Sequence, residues 1–162
     1  MTDALGHEDP TPRLQRAYEH IHATRMQGLA FLNAALRVEA VGFRRWQGAW
    51  LGALVTPWSL NLVLTPGDGD WTPLAAGAER FVDFPAGRFR FLAGHDPIAG
   101  ESHSCSLFSP VLAFADHEAA RVAAAAAVEA LLADPEAPQP RAMSKREFLA
   151  GRFGAPDHVS RG

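Results

Sequence analysis

Apolar residues near the start of the chain recur every three or four positions, which predicts an amphipathic helix. The set is Leu14, Ala17, Tyr18, Ile21, Leu29, Leu32 and Leu36. Thr11 followed by Pro12 predicts the first turn, because a threonine hydroxyl can cap free amides and proline suits the first helical position. We expect the helix to continue to about residue 36, weakened by Gly28, and residues 1–11 to be flexible.

After this helix the hydrophobic pattern becomes that of β-strands. Five short runs rich in Val, Leu and Phe are separated by Gly, Pro and Asp: residues 38–46, 49–55, 60–66, 80–85 and 88–94. Leucines alternate with Asn61, Val63 and Thr65 in the third run, and arginines alternate with phenylalanines in the fifth. Each of these two strands is therefore predicted to bury one face and expose the other. Residues 50–55 are apolar on both faces, which predicts a central strand.

The C-terminal part of the chain predicts one more strand and a second helix. Residues 105–114 favour a strand that is broken at Pro110. Asp116 can cap a helix through the alanine-rich run 118–133, and Pro135 then terminates it. Because the connections between the strands are too short for crossover helices, the sheet is expected to be mainly antiparallel.

These elements predict a single α+β domain over residues 12–134, with the sheet flanked by an N-terminal and a C-terminal helix. Residues 135–162 are rich in Pro, Gly and charge and are expected to form a flexible tail. The chain has 162 residues, of which 48% are hydrophobic and 20% charged, as in a globular protein. A net charge of −3 argues against binding to nucleic acid or to an anionic membrane surface, and no stable membrane insertion is expected. The sequence predicts neither a signal peptide nor a transmembrane helix, and hence a cytoplasmic protein.

The single cysteine, Cys105, limits the redox chemistry of the chain. It allows no intrachain disulfide and no CxxC pair, which is typical of a reducing compartment. If residues 102–108 form a strand, His103 and Cys105 share one face, and a small thiol-dependent enzyme is an alternative function. A packing role for the thiol is favoured, because residues two apart on a strand rarely meet in catalytic geometry. No catalytic residue is therefore predicted.

The seven histidines form no recognisable metal motif. His20 and His22 are two apart on a predicted helix and cannot face one metal ion. His95, Asp96 and His103 could converge, but their spacing matches no ligand pattern. We expect exposed histidines, and neither a metal nor another cofactor. Delivery of a metal or cluster through Cys105 and nearby histidines is a weaker alternative.

Four tryptophans lie between positions 46 and 71, and most are expected to be buried or half-buried. An exposed one beside Phe43, Arg44 and Arg45 would suit a binding surface, since Trp and Arg are frequent in interface hot spots. Residues 65–71, TPGDGDW, contain two glycines but open no helix. They predict a hairpin turn rather than a phosphate-binding loop.

Three motifs, in this order and at these intervals, resemble NiFe-hydrogenase assembly chaperones of the HybE/HupJ type. They are Thr56-Pro57-Trp58, Phe84-Pro85-Ala86-Gly87 and Cys105-Ser106-Leu107-Phe108-Ser109-Pro110, within a similarity that runs from about residue 13 to 134. The resemblance implies a non-enzymatic cytoplasmic protein that binds the precursor of a small or large hydrogenase subunit before export. In some relatives a rubredoxin is fused to this domain, but one cysteine cannot form its iron site. The residues implied to contact the partner are Phe43, Arg44, Trp46, Thr56, Pro57, Trp58, Phe84, Cys105 and Phe108.

The stretch MSKREFLAGRF, residues 143–153, is similar to a twin-arginine export motif but lies near the C-terminus. Small subunits of exported NiFe hydrogenases carry such a signal at the N-terminus, so the family context suggests a mimic of that signal. The mimic would consist of Ser144, Lys145, Arg146, Phe148 and Leu149. Lysine replaces the first arginine, which changes the hydrogen-bond geometry of the pair. A second possibility is that the aromatic and leucine side chains dock the tail onto the domain, and a third is that the segment has neither role.

Overall fold

The computed structural model describes residues 8–108 and 113–133. This part of the chain forms two helices and six strands. In chain order they are α1 Thr11–Arg25, β1 Glu39–Trp46, β2 Ala49–Thr56, β3 Ser59–Pro66, β4 Glu79–Phe84, β5 Gly87–Asp96, β6 Gly100–Phe108 and α2 His117–Leu132. The predicted α+β class is confirmed, because one antiparallel sheet lies between an N-terminal and a C-terminal helix. Neither helix has the length and hydropathy needed to cross a bilayer.

The sheet has the strand order β1-β2-β3-β6-β5-β4. It consists of two antiparallel meanders, β1-β2-β3 and β4-β5-β6, which join where β3 pairs with β6. Residues 67–78 connect the meanders, crossing the end of the sheet from the centre to the far edge. The strand predicted to be central, β2, is an interior strand with a neighbour on each side. The middle of the sheet is formed by β3 and β6.

Residues 65–71 do not close a hairpin, contrary to the sequence prediction, because β3 and β4 are not neighbours. Their glycines instead allow the chain to pack closely on the turn between β1 and β2. The Gly69 amide donates to the Gly48 carbonyl at 2.9 Å, and a Cβ on Gly69 would lie only 2.7 Å from Gly48 Cα. This backbone contact redirects the chain towards β4 and carries Asp70 and Trp71 across the end of the sheet.

Each face of the sheet is covered by a different helix. The larger hydrophobic cluster lies between the sheet and α2, and it combines small alanines such as Ala120 and Ala124 with Leu62 and Phe91 of the sheet. The smaller cluster lies under α1 and includes Leu14. Because α1 contacts mainly β1, it covers only part of its face.

The burial of β3 and β5 follows from this arrangement. Leu62 belongs to the cluster under α2 and Val63 to the cluster under α1, so both faces of β3 are buried. The prediction of one exposed face on β3 is therefore wrong. On β5 the prediction is confirmed, because Phe89 is buried while Arg88 and Arg90 are exposed.

Helix α1 ends at Arg25 rather than near residue 36. Gly28 adopts a φ of +80°, a left-handed conformation that turns the chain out of the helical direction. Leu14 packs in the cluster under α1, whereas Leu36 packs in the cluster under α2 on the opposite face. One continuous helix could not place both side chains, which explains why the periodic pattern was misleading.

The two helices begin differently. Asp116 caps α2 as predicted, because its Oδ1 accepts a hydrogen bond from the Ala119 amide at 2.8 Å. Thr11 does not cap α1 but is its first helical residue. The Thr11 amide is satisfied instead by Asp9, whose Oδ1 accepts from it at 2.8 Å.

Two valines of α2 provide a matched test of this packing. Val128 is fully buried against the sheet, whereas Val122 is 57% exposed. We expect Val128→Ala to lower the free energy of unfolding by about 1–3 kcal/mol through lost burial and an incompletely filled cavity. Val122→Ala should change it by less than about 0.5 kcal/mol, because exposed substitutions cost little and alanine favours a helix. Urea unfolding measures both, and equal effects would show that α2 does not pack as described.

Candidate functional site

A cleft of about 320 Å³ lies at the end of the sheet where the crossing segment 67–78 starts. It combines aromatic and apolar walls with one cation and one carboxylate. This volume is at the lower end of the range for ligand pockets and suits one or two side chains. The lining residues that matter for its chemistry are Trp46, Leu64, Asp70, Trp71, Leu74 and Arg80.

A chain of hydrogen bonds runs along one wall of the cleft. The Arg80 guanidinium lies 3.2 Å from His103 Nδ1, and His103 Nε2 lies 2.7 Å from Glu101 Oε2. Because a guanidinium only donates, His103 Nδ1 accepts and the ring proton resides on Nε2, which donates to Glu101. The same carboxylate oxygen accepts from the Leu74 amide at 2.9 Å, which ties the crossing segment to β6.

The environment fixes the charges of the three hydrogen-bonded side chains. Burial lowers the pKa of His103; its hydrogen bond to Glu101 opposes this effect, and Arg80 adds to the lowering. For Glu101, burial alone would raise the pKa, but the hydrogen bonds from the Leu74 amide and from His103 more than offset it, so the pKa is lowered. At neutral pH the wall therefore holds a neutral imidazole between a guanidinium and an ionised carboxylate.

Both tryptophans of the cleft are held by stacking. The rings of Trp71 and His103 are 4.4 Å apart between centroids, and the Arg80 guanidinium lies 5.7 Å from the Trp71 ring. Trp46 stacks on Phe84 at 4.5 Å. The Trp71 indole Nε1 is buried, and its interaction with the Glu101 carboxylate also lowers the pKa of Glu101. The cleft is therefore a rigid aromatic site with one fixed cation.

Sequence analysis placed Phe43, Arg44 and Trp46 in a binding surface, and the structure separates them. Trp46 lines the cleft. Phe43 lies on the opposite face of the sheet, where its ring occupies the space that a Cβ on Gly52 would need. Arg44 is partly exposed and pairs with Glu129 of α2 at 3.1 Å.

The Thr56-Pro57-Trp58 motif forms the corner between β2 and β3. Thr56 is buried, and its Oγ1 accepts from the Trp58 amide at 3.2 Å, which fixes the turn. Pro57 is buried as well. Trp58 is half-buried; it stacks on Tyr18 of α1 and meets His22 at a tilt, with centroid distances of 6.5 and 5.8 Å. These contacts make the motif a structural joint between the sheet and α1.

The other predicted partner-binding residues lie in the interior or beyond the described side chains. Phe84 and Cys105 are each 6% exposed and belong to the cluster under α2. The backbone of Phe108 pairs with Leu60 in the sheet, but its side chain lies outside the described residues. Trp58 and Phe84 therefore do not form one exposed patch. The segment from Ser144 to Leu149 also lies outside the described residues.

The geometry does not favour the alternative of a cysteine nucleophile. Cys105 is buried, and both ring nitrogens of His103 are occupied by Arg80 and Glu101. The expectation of exposed histidines is wrong for His103 and His117, which are 0% and 7% exposed. Within residues 8–108 and 113–133, no three His, Cys, Asp or Glu side chains are grouped as a metal site requires.

A second surface, which sequence analysis missed, is the half of the sheet that α1 leaves uncovered. Phe81 lies there with 60% exposure, and Leu92, which is 41% exposed, lies at its border with Tyr18 and Arg25 of α1. The ion pairs of Arg88 with Asp83 and Arg90 with Glu79 also belong to these two strands. In β4 the adjacent residues Phe81 and Val82 are both apolar and point to opposite faces of the sheet. The hydrophobic pattern therefore did not show which face of this strand would be exposed.

Comparisons with known proteins agree with the resemblance in the motifs. Residues 9–151 match the family described as the NiFe-hydrogenase assembly chaperone HybE. The hydrogenase expression/formation protein HupJ of Bradyrhizobium diazoefficiens is 40% identical over 146 residues, which cover 85% of each chain. The protein HoxT of Cupriavidus necator is 35% identical over 160 residues, 89% of each chain. The solution structure of HybE from Escherichia coli superposes with a TM-score of 0.64 at 26% identity, covering 84% of this chain and 87% of that one.

The contact between Phe43 and Gly52 predicts a strong effect of one methyl group. A Cβ at residue 52 would lie 2.4 Å from the Phe43 ring, so we expect Gly52→Ala to cost about 1–3 kcal/mol of stability. Gly94→Ala is the control, because its Cβ would meet only the Ser102 carbonyl at 3.9 Å. In urea unfolding, adding Phe43→Leu should recover part of the loss. Strict additivity of the two changes would contradict the contact.

The lowered pKa of His103 predicts acid sensitivity. The unfolded chain binds a proton at this residue near pH 6.5, whereas the folded chain does so only at lower pH. Stability from this residue is therefore complete above pH 6.5 and falls as the pH decreases towards the folded pKa, by at most about 1.4 kcal/mol per pH unit. Urea unfolding between pH 7.5 and 5.5 should show a shallower decline for His103→Gln than for the natural chain. Parallel declines would show that His103 does not contribute.

Proposed function

Because the chain belongs to the HybE family of NiFe-hydrogenase assembly chaperones, we propose that it binds the precursor of one NiFe-hydrogenase subunit, small or large, in the cytoplasm before export. The observation that carries this proposal is the family match over residues 9–151, with 40% identity to a hydrogenase expression/formation protein. In this role the protein acts by binding and has no catalytic residues. Both ring nitrogens of His103 are engaged in hydrogen bonds and the Cys105 thiol is buried, which is consistent with that role.

The two surfaces described above supply what binding to an immature subunit requires. The open half of the sheet offers exposed apolar side chains, Phe81 and Leu92, beside polar and charged ones, as in a non-obligate interface. The cleft offers Trp46, Trp71 and Arg80, residue types that dominate interface hot spots. We assign contact with the subunit precursor, the client of this chaperone, to these residues.

The residues implied by the family motifs then divide by location. Trp46 is assigned to client contact because it lines the cleft. Thr56 and Phe84 are buried and act by holding the corner and the stacked wall in place. Arg44 lies in the same strand as Trp46 and is partly exposed, and we assign it to the rim of the client-binding surface.

The tail segment with Lys145 and Arg146 keeps three alternatives in this proposal. It imitates the twin-arginine signal of a client, docks on the domain through Phe148 and Leu149, or has neither role. Deleting residues 141–162 distinguishes them, because loss of client binding and export supports mimicry, whereas loss of stability alone supports docking.

Affinity capture tests the proposed function. The tagged full chain is recovered from cells that make a NiFe hydrogenase, and the proteins that co-purify are identified by mass spectrometry. We expect a small or large subunit precursor. Absence of every hydrogenase component would contradict the proposal and favour the thiol-enzyme alternative.

A matched pair of variants tests the surface. Leu92→Asp places a charge on the open half of the sheet, and Val122→Asp places the same charge on an exposed position of α2. We expect Leu92→Asp to reduce the captured precursor at least fivefold and Val122→Asp to leave it unchanged, because only the first disrupts apolar contact. Equal losses, or no loss in either, would show that the open half of the sheet is not the client surface.

A further inference from the structure

Two arginines of the described chain lie over tryptophan rings, and they differ in what they bind. Arg45 lies 5.1 Å from the centroid of Trp50, and its guanidinium pairs with the Asp68 carboxylate at 2.8 Å. Arg80 lies 5.7 Å from the centroid of Trp71, but its hydrogen bond goes to the neutral imidazole of His103. No carboxylate within the described residues is close enough to form an ion pair with Arg80. Its positive charge therefore lies in the cleft without an adjacent counter-ion.

The position of Arg80 is fixed before any ligand arrives. The His103 nitrogen holds one arm of the guanidinium, and the Trp71 ring packs against it. A guanidinium has five N–H donors, so the bond to His103 leaves others available to a ligand. Because the side chain is already ordered, a ligand does not have to supply the entropy of ordering it. At Arg45 the same stacked arrangement already carries a carboxylate from this chain.

The charges around the cleft limit how much negative charge a ligand can place beside Arg80. Arg80 supplies one positive charge, while Asp70 lines the same cleft and the ionised Glu101 lies behind His103. Both carboxylates would repel a second negative charge, so a carboxylate fits better than a dianionic phosphate. The remaining wall is apolar and aromatic, with Trp46 and Leu64.

We propose that this cleft binds a peptide segment in which one carboxylate, from an acidic side chain or a chain end, lies next to an apolar side chain. The carboxylate binds Arg80 and the apolar side chain packs against Trp46 and Trp71. A volume of about 320 Å³ admits two such side chains. Assigning the segment to a hydrogenase subunit rests on the proposed function; binding of the peptide itself does not.

Titration of the full, isotope-labelled chain with short peptides tests this site by NMR. The probes are N-acetyl-Leu-Phe as the free acid, the same peptide as the amide, and N-acetyl-Phe-Glu-amide, which carries its carboxylate on a side chain. We expect the indole signals of Trp46 and Trp71 to shift while those of Trp50 and Trp58 do not. At least one of the acidic peptides should bind fivefold or more tightly than the neutral amide, and the tighter one identifies the source of the carboxylate.

Arg80→Gln and Arg45→Gln are the matched variants, since each removes a guanidinium that lies over a tryptophan. Arg80→Gln should weaken binding of the acidic peptide at least fivefold, and Arg45→Gln should leave it unchanged. If Arg80→Gln proves unstable, Asp70→Asn keeps the proposal testable at an exposed position. Removing that negative charge should tighten binding by about two- to threefold.

Several results would overturn the proposal. In the peptide titrations, these are equal affinities for the acid and the amide, or no shift of the indole signals at millimolar peptide. In the variants, they are equal weakening of peptide binding by both arginine changes, or an unchanged peptide affinity in Asp70→Asn. Tighter binding of inorganic phosphate than of acetate would also contradict the proposal. Client capture with Arg80→Gln separates this inference from the proposed function. If the peptides do not bind but the subunit precursor is still captured, the cleft is not the peptide site and the proposed chaperone role is unaffected.

Discussion

The pairing of β3 with β6 is the contact on which the rest of the structure depends. It joins two meanders that are separated in sequence by the crossing segment 67–78, and it sets the register of both. In this register His103 lies opposite Leu64 and Cys105 opposite Leu62. Because β3 buries both faces, a shift by one residue would move leucines to the α1 side and polar residues into the main cluster. The register is therefore strongly specified.

The cleft is a consequence of that pairing. When β3 and β6 are neighbours, the chain must travel from the centre of the sheet to its far edge, and the Gly48–Gly69 contact starts this path. The Leu74 amide then binds Glu101 and holds the segment over the end of the sheet. Trp71 is thereby placed on His103, next to Arg80 from β4. Side chains from the crossing segment, β4 and β6 meet only because the topology brings these elements together.

This origin explains how much the sequence could predict. Five strands, the cap of α2 at Asp116 and the α+β class follow from local patterns, and the three motifs indicated the family. The cleft could not be predicted, because no local pattern relates Trp71 to His103 or Arg80. The same holds for the end of α1, where Leu36 continues the helical spacing but packs on the opposite face. Phe84 and Thr56 of the motifs are buried, where they contribute to the core and to a corner of the sheet.

The unequal cover of the two faces gives the molecule one closed and one open side. The alanines of α2 allow it to lie close to β1, β2 and β3, and Phe84, Phe89 and Phe91 complete that cluster. On the other side α1 is only 15 residues long and contacts mainly β1, although Tyr18 and Arg25 reach the end of β5 across a shallow cleft. Phe81 and Leu92 consequently stay exposed on a sheet whose other face is covered. Because such a surface is preformed, few side chains would have to become ordered on binding, which lowers the conformational-entropy cost of contact.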